Sequence, residues 1–563
     1  MRKLLIVVCA SMLAASVPVG AQQLRGTVRD SASRRPVTGA VITLFDSVGK
    51  PIMRGVSNAH GIYDIPFLGD ARRGRVVRLG YRPRDIRLPG KTGTVTELNL
   101  SLTWLPTLLE PVVALANPHC PRRRDAAATQ ALLEQARAGL LTSVVQRESD
   151  PPSLILYNVE RNMEGTSSRI KFQDVRRDSV GAVPRSFVAV YSATDFLTRG
   201  FMQNEDTGPR YFAPDAEVLL DDQFTLGYCF RIMDPAKARP RQIGLGFRAA
   251  DSRRDRIDID GAVWIDTAAR ELRDIDYRYV GFPWRIQTLD PGGRINFREL
   301  TDGQTLIDTW TMRIIGARYD TVRFAGGYAP RIEETLFAFE KGGQVAHATW
   351  SDGRAWHAPL GKLRLHVRGS EGRIPAGTEM YMPYTPYRAV VDSSGMFAID
   401  DLISGRYSLL VIDPRLAPLN LDIPTTFDFL AANDSTHAGV LRIQTAEEWA
   451  IARCEDTRQF VSVDTTLVFG RIFDLRGLPV PEVDVTVTTD ALPVHAMRTK
   501  QTLSGRFVGG FPTGTDGIFE FCGAKLDATI TAHARKEKWK APTRRLPVTG
   551  HLTIVPLVIE PNP

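Results

Sequence analysis

The sequence predicts a mainly β protein: three small Greek-key-like β-sandwich modules and a central large antiparallel β-sheet domain with a short helix. Three observations carry that expectation. First, one motif recurs: SNAHGIYDIPFL at 57–68, VDSSGMFAIDDL at 391–402 and PTGTDGIFEFCG at 512–523. Second, each copy sits among short runs that alternate apolar and polar residues, the period of a half-buried strand. Third, the stretch between the first two copies holds longer alternating runs, as a wide antiparallel sheet requires.

In the first copy, LRGTVRD (Leu24 to Asp30) reads as a strand and SASRR as a turn. PVTGAVITLFD opens a second strand, and residues near MRGVSNA form a third. A polar turn then leads into IYDI, followed by RVVRLGYRPRDIRL and TVTELNLSL, about seven short strands in all, as in a small sandwich. Gly61 suits positive φ in a hairpin turn. Gly395 and Gly517 take the same slot in the later copies. Tyr63, Phe397 and Phe519 follow it, and Ile65, Ile399 and Phe521 come two residues later on the same face. A slip of one residue would expose each pair, so the pattern sets register.

The string GTVRD…PVTGAVITL…GVSNAHGIYDIPFL…LGYRP, from Leu24 to about Leu102, resembles the carboxypeptidase regulatory-like module, a prealbumin-type β-sandwich. GRIFD, LPVPEVDV and TDGIFEF in the third copy resemble it as well. The second copy departs from it, lacking the Asp of the first turn and reading Gly377-Thr378 at the Gly-Ala step. The resemblance implies a non-catalytic accessory module with a carbohydrate-binding-like fold. Such modules accompany zinc carboxypeptidases and begin many TonB-dependent outer-membrane receptors, but the resemblance does not imply peptidase activity.

The chain has 563 residues, 43% hydrophobic and 24% charged, enough for several cored domains, with a formal net charge of +8 carried mostly by Arg. The N-terminus has the plan of a secretory signal: Arg2 and Lys3, an apolar stretch from Leu4 to Val17, and small residues at Val19-Gly20-Ala21. No later run of 18 apolar residues follows, so no membrane-spanning helix is expected after the signal. Cys9 falls inside the signal. The remaining four cysteines read as disulfides of an exported protein, paired Cys120–Cys229 and Cys454–Cys522 because each pair stays within neighbouring units. The alternative is buried free thiols.

The boundaries read as signal 1–21, first sandwich 22–103, linker and helix 104–150, central domain 151–356, second sandwich 360–443, connecting helix 444–460 and third sandwich 464–563. Asp125 to Val144 reads as a docked or connecting helix with Asp125 as N-cap and an apolar stripe at Leu132, Leu133, Ala136 and Leu140. In the central domain SLILYNVERNM, RIKFQDVRRDSV, RSFVAVYS, FTLGYCFRIM, RQIGLGFR, RIDIDGAVWID, ELRDIDYRYVGF and TWTMRIIGARY read as long strands. In pattern alone this is similar to the half-barrels of periplasmic lipoprotein carriers. TAEEWAIARCED reads as a short helix.

Catalytic signatures are missing. No His opens a His-x-x-Glu zinc motif, and neither a Gly-x-Ser-x-Gly elbow nor a phosphate-cradling Gly-rich loop occurs. His347 and His357 are placed to meet across a hairpin, although loop positions are the commoner fate of such residues. His119, beside Cys120, is a second metal-ligand candidate, and the disulfide reading is preferred there. Asp221 with Asp222, and Asp255, Asp258 and Asp260, are candidates for calcium or for paired carboxylates. Alternating Asp beside Arg reads rather as a charge-paired face.

Two basic clusters stand out. Arg72, Arg73, Arg75 and Arg78, with Arg82, Arg84 and Arg87, crowd the end of the first sandwich. Arg535, Lys536, Lys538 and Lys540, with Arg544 and Arg545, surround Trp539 in the third. They are candidate anion or glycan sites, weighed against an ordinary solvated Arg-rich face. The reading is an exported, non-catalytic envelope protein of the periplasm, outer membrane or cell surface of a bacterium. It needs no cofactor or metal and binds envelope polysaccharide, peptide or another envelope protein rather than nucleic acid. The alternatives are a hydrolase with its site in the central domain, and an outer-membrane receptor or lipid-associated accessory protein. Expression with export is expected to yield a chain that begins at Gln22, which N-terminal sequencing checks directly.

Overall fold

A computed structural model describes residues 22–67, 71–89, 94–108, 120, 125–182, 193–206, 208–233, 239–253, 255–322, 331–369, 374, 377–456, 465–489, 502–503, 506–525, 529–548, 550 and 552–561. The signal residues and the strand expected at RSFVAVYS lie outside them. The protein is mainly β, with many antiparallel sheets, and it divides into two compact units, residues 1–169 with 178–358 and residues 170–177 with 359–563.

Three two-sheet sandwiches share one topology. In each, the opening strand (Gln23–Asp30, Gly361–Arg368 or Thr465–Phe473) lies at the centre of one sheet. On one side it pairs antiparallel with the strand after the glycine turn, Ile62–Pro66, Met396–Leu402 or Ile518–Lys525. On the other it pairs parallel with the closing strands: Val95–Glu97 and Leu100–Leu102, then Thr436–Arg442, then Leu552–Val558. The facing sheets are built on Val41–Phe45, Glu379–Tyr381 and Asp484–Thr489. Tyr63, Phe397 and Phe519 are buried, as are Ile65, Ile399 and Phe521. In the first sandwich Tyr63 and Ile65 meet Ile42, Leu44 and Val76 of the opposite layer, and in the third Phe519 and Phe521 meet Val485, Val487 and Ile530.

The recurring turn has one geometry. Gly61, Gly395 and Gly517 have φ of +73°, +83° and +74°. Each glycine N–H donates to the residue three before it, Asn58, Asp392 or Gly514, at 2.8, 2.9 and 3.0 Å. Each glycine carbonyl accepts from the opening strand, at Val28, Val367 or Ile472. The Asn58 and Asp392 side chains brace the first two turns by accepting from Ile62 and Met396, while Asp516 does so in the third by accepting from Ile518. The expected hairpin is corrected in one respect. The strands before the turn, Pro51–Val56, Arg388–Val390 and Arg506–Pro512, belong to the facing sheet, so the turn is an arch between layers. Both flanking segments alternate, and alternation reports burial of one face without saying which partner the backbone takes.

The central sheet has ten strands. From one edge they run Ile170–Val180, Ser153–Met163, Arg331–Thr349, Thr305–Val322, Gly292–Glu299, Glu271–Val280, Asp258–Asp266, Gln242–Ala249 and Tyr228–Met233, with Ala355–His357 also on Arg331–Thr349. The expected Asp266 turn forms, its carboxylate accepting from Ala268 and Ala269. The expected strand FTLGYCFRIM is half helix, because Asp221 caps a turn at Asp222–Gly227 and its side chain accepts from Gln223. The helix expected at Asp125 to Val144 runs from Ala126 to Ser149 (α1), and Asp125 makes no side-chain cap bond. Leu132, Leu133, Ala136, Leu140 and Val144 of α1 pack on the apolar face of the sheet, against residues such as Phe247, Val263 and Ile275. The helix at Ala446–Asp456 forms as expected, with a capping box in which Thr445 and Glu448 each accept from the other's backbone.

A Cβ at Gly61 would lie 2.6 Å from the Val28 carbonyl. With the left-handed φ, Gly61→Ala is expected to destabilise the first sandwich by roughly 2–3 kcal/mol. Conversely, Glu482 sits at φ +55° in the place that Gly39 and Gly377 hold at +70° and +80°, so Glu482→Gly should stabilise the third sandwich by about 0.5–1 kcal/mol. Amide hydrogen exchange at Val28 and Ile472 reads both effects.

Candidate functional site

The third sandwich presents Arg535, Lys540 and Arg545 on its outer face. Thr529–Lys536 alternates, with Ile530, Ala532 and Ala534 in the core and Thr531, His533 and Arg535 turned away from it. A tight turn follows with Glu537 at φ +50°, and Trp539–Lys540 returns so that Lys540 lies opposite Arg535 and Trp539 opposite Lys536. Arg545 and Arg544 join the same strand opposite Thr531 and Ala532. Arg535, Lys538, Lys540, Arg544 and Arg545 are exposed, and Trp539 keeps 40% of its surface accessible. Asp484 and Glu560 face Arg535 and Lys540 in register. Among the described residues, none of these five cations is in an ion pair. Lys536 is the exception in the cluster, since its ammonium donates to the Pro481 carbonyl at 2.7 Å.

The first basic cluster is distributed differently. Arg72 and Arg73 are exposed. Arg75 reaches Glu134 of α1 at 3.3 Å and Asp85 at 4.0 Å. Arg78 is turned inward, its side chain 11% accessible, and pairs with Glu299 of the central sheet at 2.7 Å. Arg75 and Arg78 therefore tie the sandwich to the helix and sheet, and the structure does not gather the four arginines on one open face.

The acidic candidates separate. Asp221 caps a helix and Asp222 pairs with Arg137. Asp255 is exposed beside Arg256. Asp258 is only 1% accessible and is held by Arg253 while accepting from the Tyr228 hydroxyl. Arg253 in turn donates to the carbonyls of Leu197 and Phe196 and stacks over the Tyr228 ring. Burial, with Asp258 beside it, pushes the Tyr228 phenol well above its ordinary range. Asp260 is also raised by burial, and its carboxylate accepts from Ala249. The expected charge-paired outer face is present one strand along, where Arg239 bonds Asp274 at 2.8 Å and Asp276 at 3.0 Å and Arg294 bonds Asp276 at 3.0 Å.

His347 and His357 do meet, in register across adjacent strands with ring centroids 3.9 Å apart. Among the described residues no group of three His, Cys, Asp or Glu side chains gathers as a metal site. His119 lies outside the described residues. Cys120 and Cys229 form the expected disulfide. The side chains of Cys454 and Cys522 lie outside the described residues. No described helix is long and apolar enough to cross a membrane.

Sequence reasoning missed an apolar cleft in the first unit. It opens between the C-terminal end of α1, Leu154, Val180, and the strands that carry Phe297, Leu306 and Val345, with Trp350 and Arg147 in its lining. These residues come from six separate segments, and no local pattern links them.

No family model matches the chain, and no curated protein matches it. Solved structures overlap it weakly. The TIE protein of Bacillus anthracis is 8% identical over 63% of this chain and 64% of that one, just under two thirds of its length, with a TM-score of 0.14. A streptococcal ancillary pilin is 12% identical over 48% of this chain and 81% of its own, with a TM-score of 0.15. The shaft pilin SpaA of Lactobacillus rhamnosus GG is 10% identical over 36% of this chain and 98% of its own, with a TM-score of 0.13. Overlaps at these scores carry no inference about fold or function.

Removing one member of a buried ion pair leaves the other uncompensated. Asp258→Ala is therefore expected to destabilise the first unit by about 3–5 kcal/mol, whereas Tyr228→Phe, which keeps the pair, should cost roughly 1–2 kcal/mol. Urea unfolding of the full chain, followed by exchange at Ile259 and Ile275, separates the two.

Proposed function

We propose that this is an exported, non-catalytic binding or scaffolding protein of a bacterial envelope or surface, whose third sandwich holds an anionic polymer. The observation that supports this most directly is the set of five exposed cations around Trp539 with no ion-pair partner among the described residues. Exposed cations outside ion pairs attract polyanions, and they do so weakly enough to be screened by salt. An exposed indole beside them adds a flat apolar surface on which a sugar ring stacks. The N-terminal signal plan and the disulfide support an oxidising, extracytoplasmic setting. The resemblance of the first and third sandwiches to carboxypeptidase regulatory-like modules supports an accessory role over a catalytic one. An envelope uronic-acid polysaccharide fits this surface better than a neutral glycan does.

The test is retention of the exported chain on immobilised alginate. Retention is expected at about 50 mM salt and lost within a few Debye lengths of screening, at roughly 0.5 M. Arg535→Ser with Lys540→Ser should weaken retention about tenfold, and Trp539→Ala should weaken it without altering its salt dependence. Neutral dextran should not retain the chain. Retention indifferent to salt, or untouched by the double variant, defeats the proposal.

A further inference from the structure

The central sheet has a hollow on the face turned away from α1. Along Tyr228–Met233, Gln242–Ala249, Asp258–Asp266 and Glu271–Val280 the core takes Phe230, Phe247, Val263 and Tyr277, so the residues between them face outward. Register sets these in rows. Arg231, Gly246, Ala262 and Asp276 form the middle row. On one side of it lie Met233 and Trp264, and on the other Arg248, Asp260 and Arg278. The middle row thus carries only a hydrogen and a methyl where both flanking rows carry large side chains. Met233 folds across Gly246, where an added Cβ would lie 2.7 Å from its sulfur. The result is a trough of about 330 Å³, at the small end of the roughly 300–1,000 Å³ range of ligand clefts.

The charged residues that line the trough balance, Arg231, Arg248 and Arg278 against Asp260, Asp276 and Asp290. The next charges outward keep that balance, Arg239 and Arg294 against Asp274 and Asp251. Such a field favours an ion of neither sign. Several of these groups nevertheless have bonding capacity to spare. Arg231 and Arg278 are exposed and, among the described residues, form no ion pair or hydrogen bond. Arg248 reaches Asp251 only at 3.9 Å. Asp260 accepts from the Ala249 amide at 3.2 Å, and burial pushes its carboxyl up. Asp276 alone is fully engaged, by Arg239 and Arg294.

A complementary occupant carries neutral groups that both donate and accept, spread around its margin, and an apolar face between them. Hydroxyls do both. Arginine beside aspartate on strands about 4.8 Å apart gives neighbouring hydroxyls a donor and an acceptor. A zwitterion has two charged ends and leaves the rest of the margin unmatched. We propose that this trough binds a neutral saccharide of one or two rings. Arg231 and Arg278 donate to its hydroxyls, Asp260 accepts from them, and Met233 and Ala262 meet its C–H face. Arg231 and Asp276 close the two ends of the middle row, so a polymer does not run through it. The site goes beyond the cationic face of the third sandwich, and the two can fail separately.

The full exported chain is titrated by calorimetry with D-glucose, D-galactose, D-mannose and N-acetylglucosamine and, in parallel, with acetate and glycylglycine. At least one sugar is expected to bind about tenfold more tightly than either control, with saturation transfer strongest to the ring protons of one face. Arg278→Gln, at an exposed and unpaired position, should weaken that sugar about tenfold. Ala262→Leu, which fills the middle row, should abolish its binding. Both variants should leave alginate retention unchanged. Binding by none of the four sugars, acetate or glycylglycine binding as tightly as the best of them, or sugar binding untouched by Arg278→Gln overturns the proposal. The wild type and Arg278→Gln decide the matter if Ala262→Leu fails to fold.

Discussion

The first unit depends on a helix buried from more than one side. α1 offers leucines to the sheet, but its polar residues fix its position. Gln135 accepts from the Gly80 amide at 2.8 Å and donates to the Tyr81 carbonyl, and Thr142 donates to the Gly39 carbonyl at 3.0 Å, all three in the first sandwich. Gln146 donates to Gly303 at 2.7 Å and accepts from Thr305 at 2.8 Å, both next to the central sheet. Buried amide and hydroxyl groups are costly unless paired, so these bonds allow only one depth and rotation of the helix. At Gly139 an added Cβ would lie 3.3 Å from Leu79 of the sandwich and 3.6 Å from Leu272 of the sheet, so both neighbours close on the helix there. The apolar face of the sheet, which a lipid-carrying half-barrel would leave open, is filled by α1 together with Phe196, Val218 and Phe224 from the short helices Ala193–Arg199, Ala216–Leu220 and Asp222–Gly227.

Much of this fold was legible in the residues. The glycine at positive φ, the buried aromatic after it and the second apolar residue two places on form a local signal, and all three copies obey it. Sheet membership was not legible, because the two strands flanking the turn alternate in the same way whether they pair with each other or face each other across a core. The helix was found from its leucines, but that apolar stripe says nothing of Gln135, Thr142 and Gln146. Only the arrival of the sandwich and the sheet gives those side chains buried backbone partners.

The candidate surface shows the same division. The third cluster is compact in sequence and remains compact in space, since one strand and its tight return carry most of it. The first cluster is just as dense in sequence, yet Arg78 finds Glu299 more than two hundred residues away, and no reading of nearby residues anticipates that. Asp258 looked like a member of an alternating charged face. Its burial follows from Tyr228, which directly follows the helical turn where a strand was expected, and from Arg253 of the separate short turn Asp251–Arg253. The cleft is the extreme case, because every wall comes from a different segment.

The shared sandwich topology has a mechanical consequence. In the second and third sandwiches the opening and closing strands run side by side in the same direction over seven paired residues each, Lys362 to Arg368 against Thr436 to Arg442 and Leu467 to Phe473 against Leu552 to Val558. The chain enters at one end of that ladder and leaves at the other. Tension applied along the chain therefore loads the cross-links in shear, all at once, instead of peeling them one by one. Each such unit behaves as a clamp that yields abruptly at high force, a property set by strand direction and independent of any ligand.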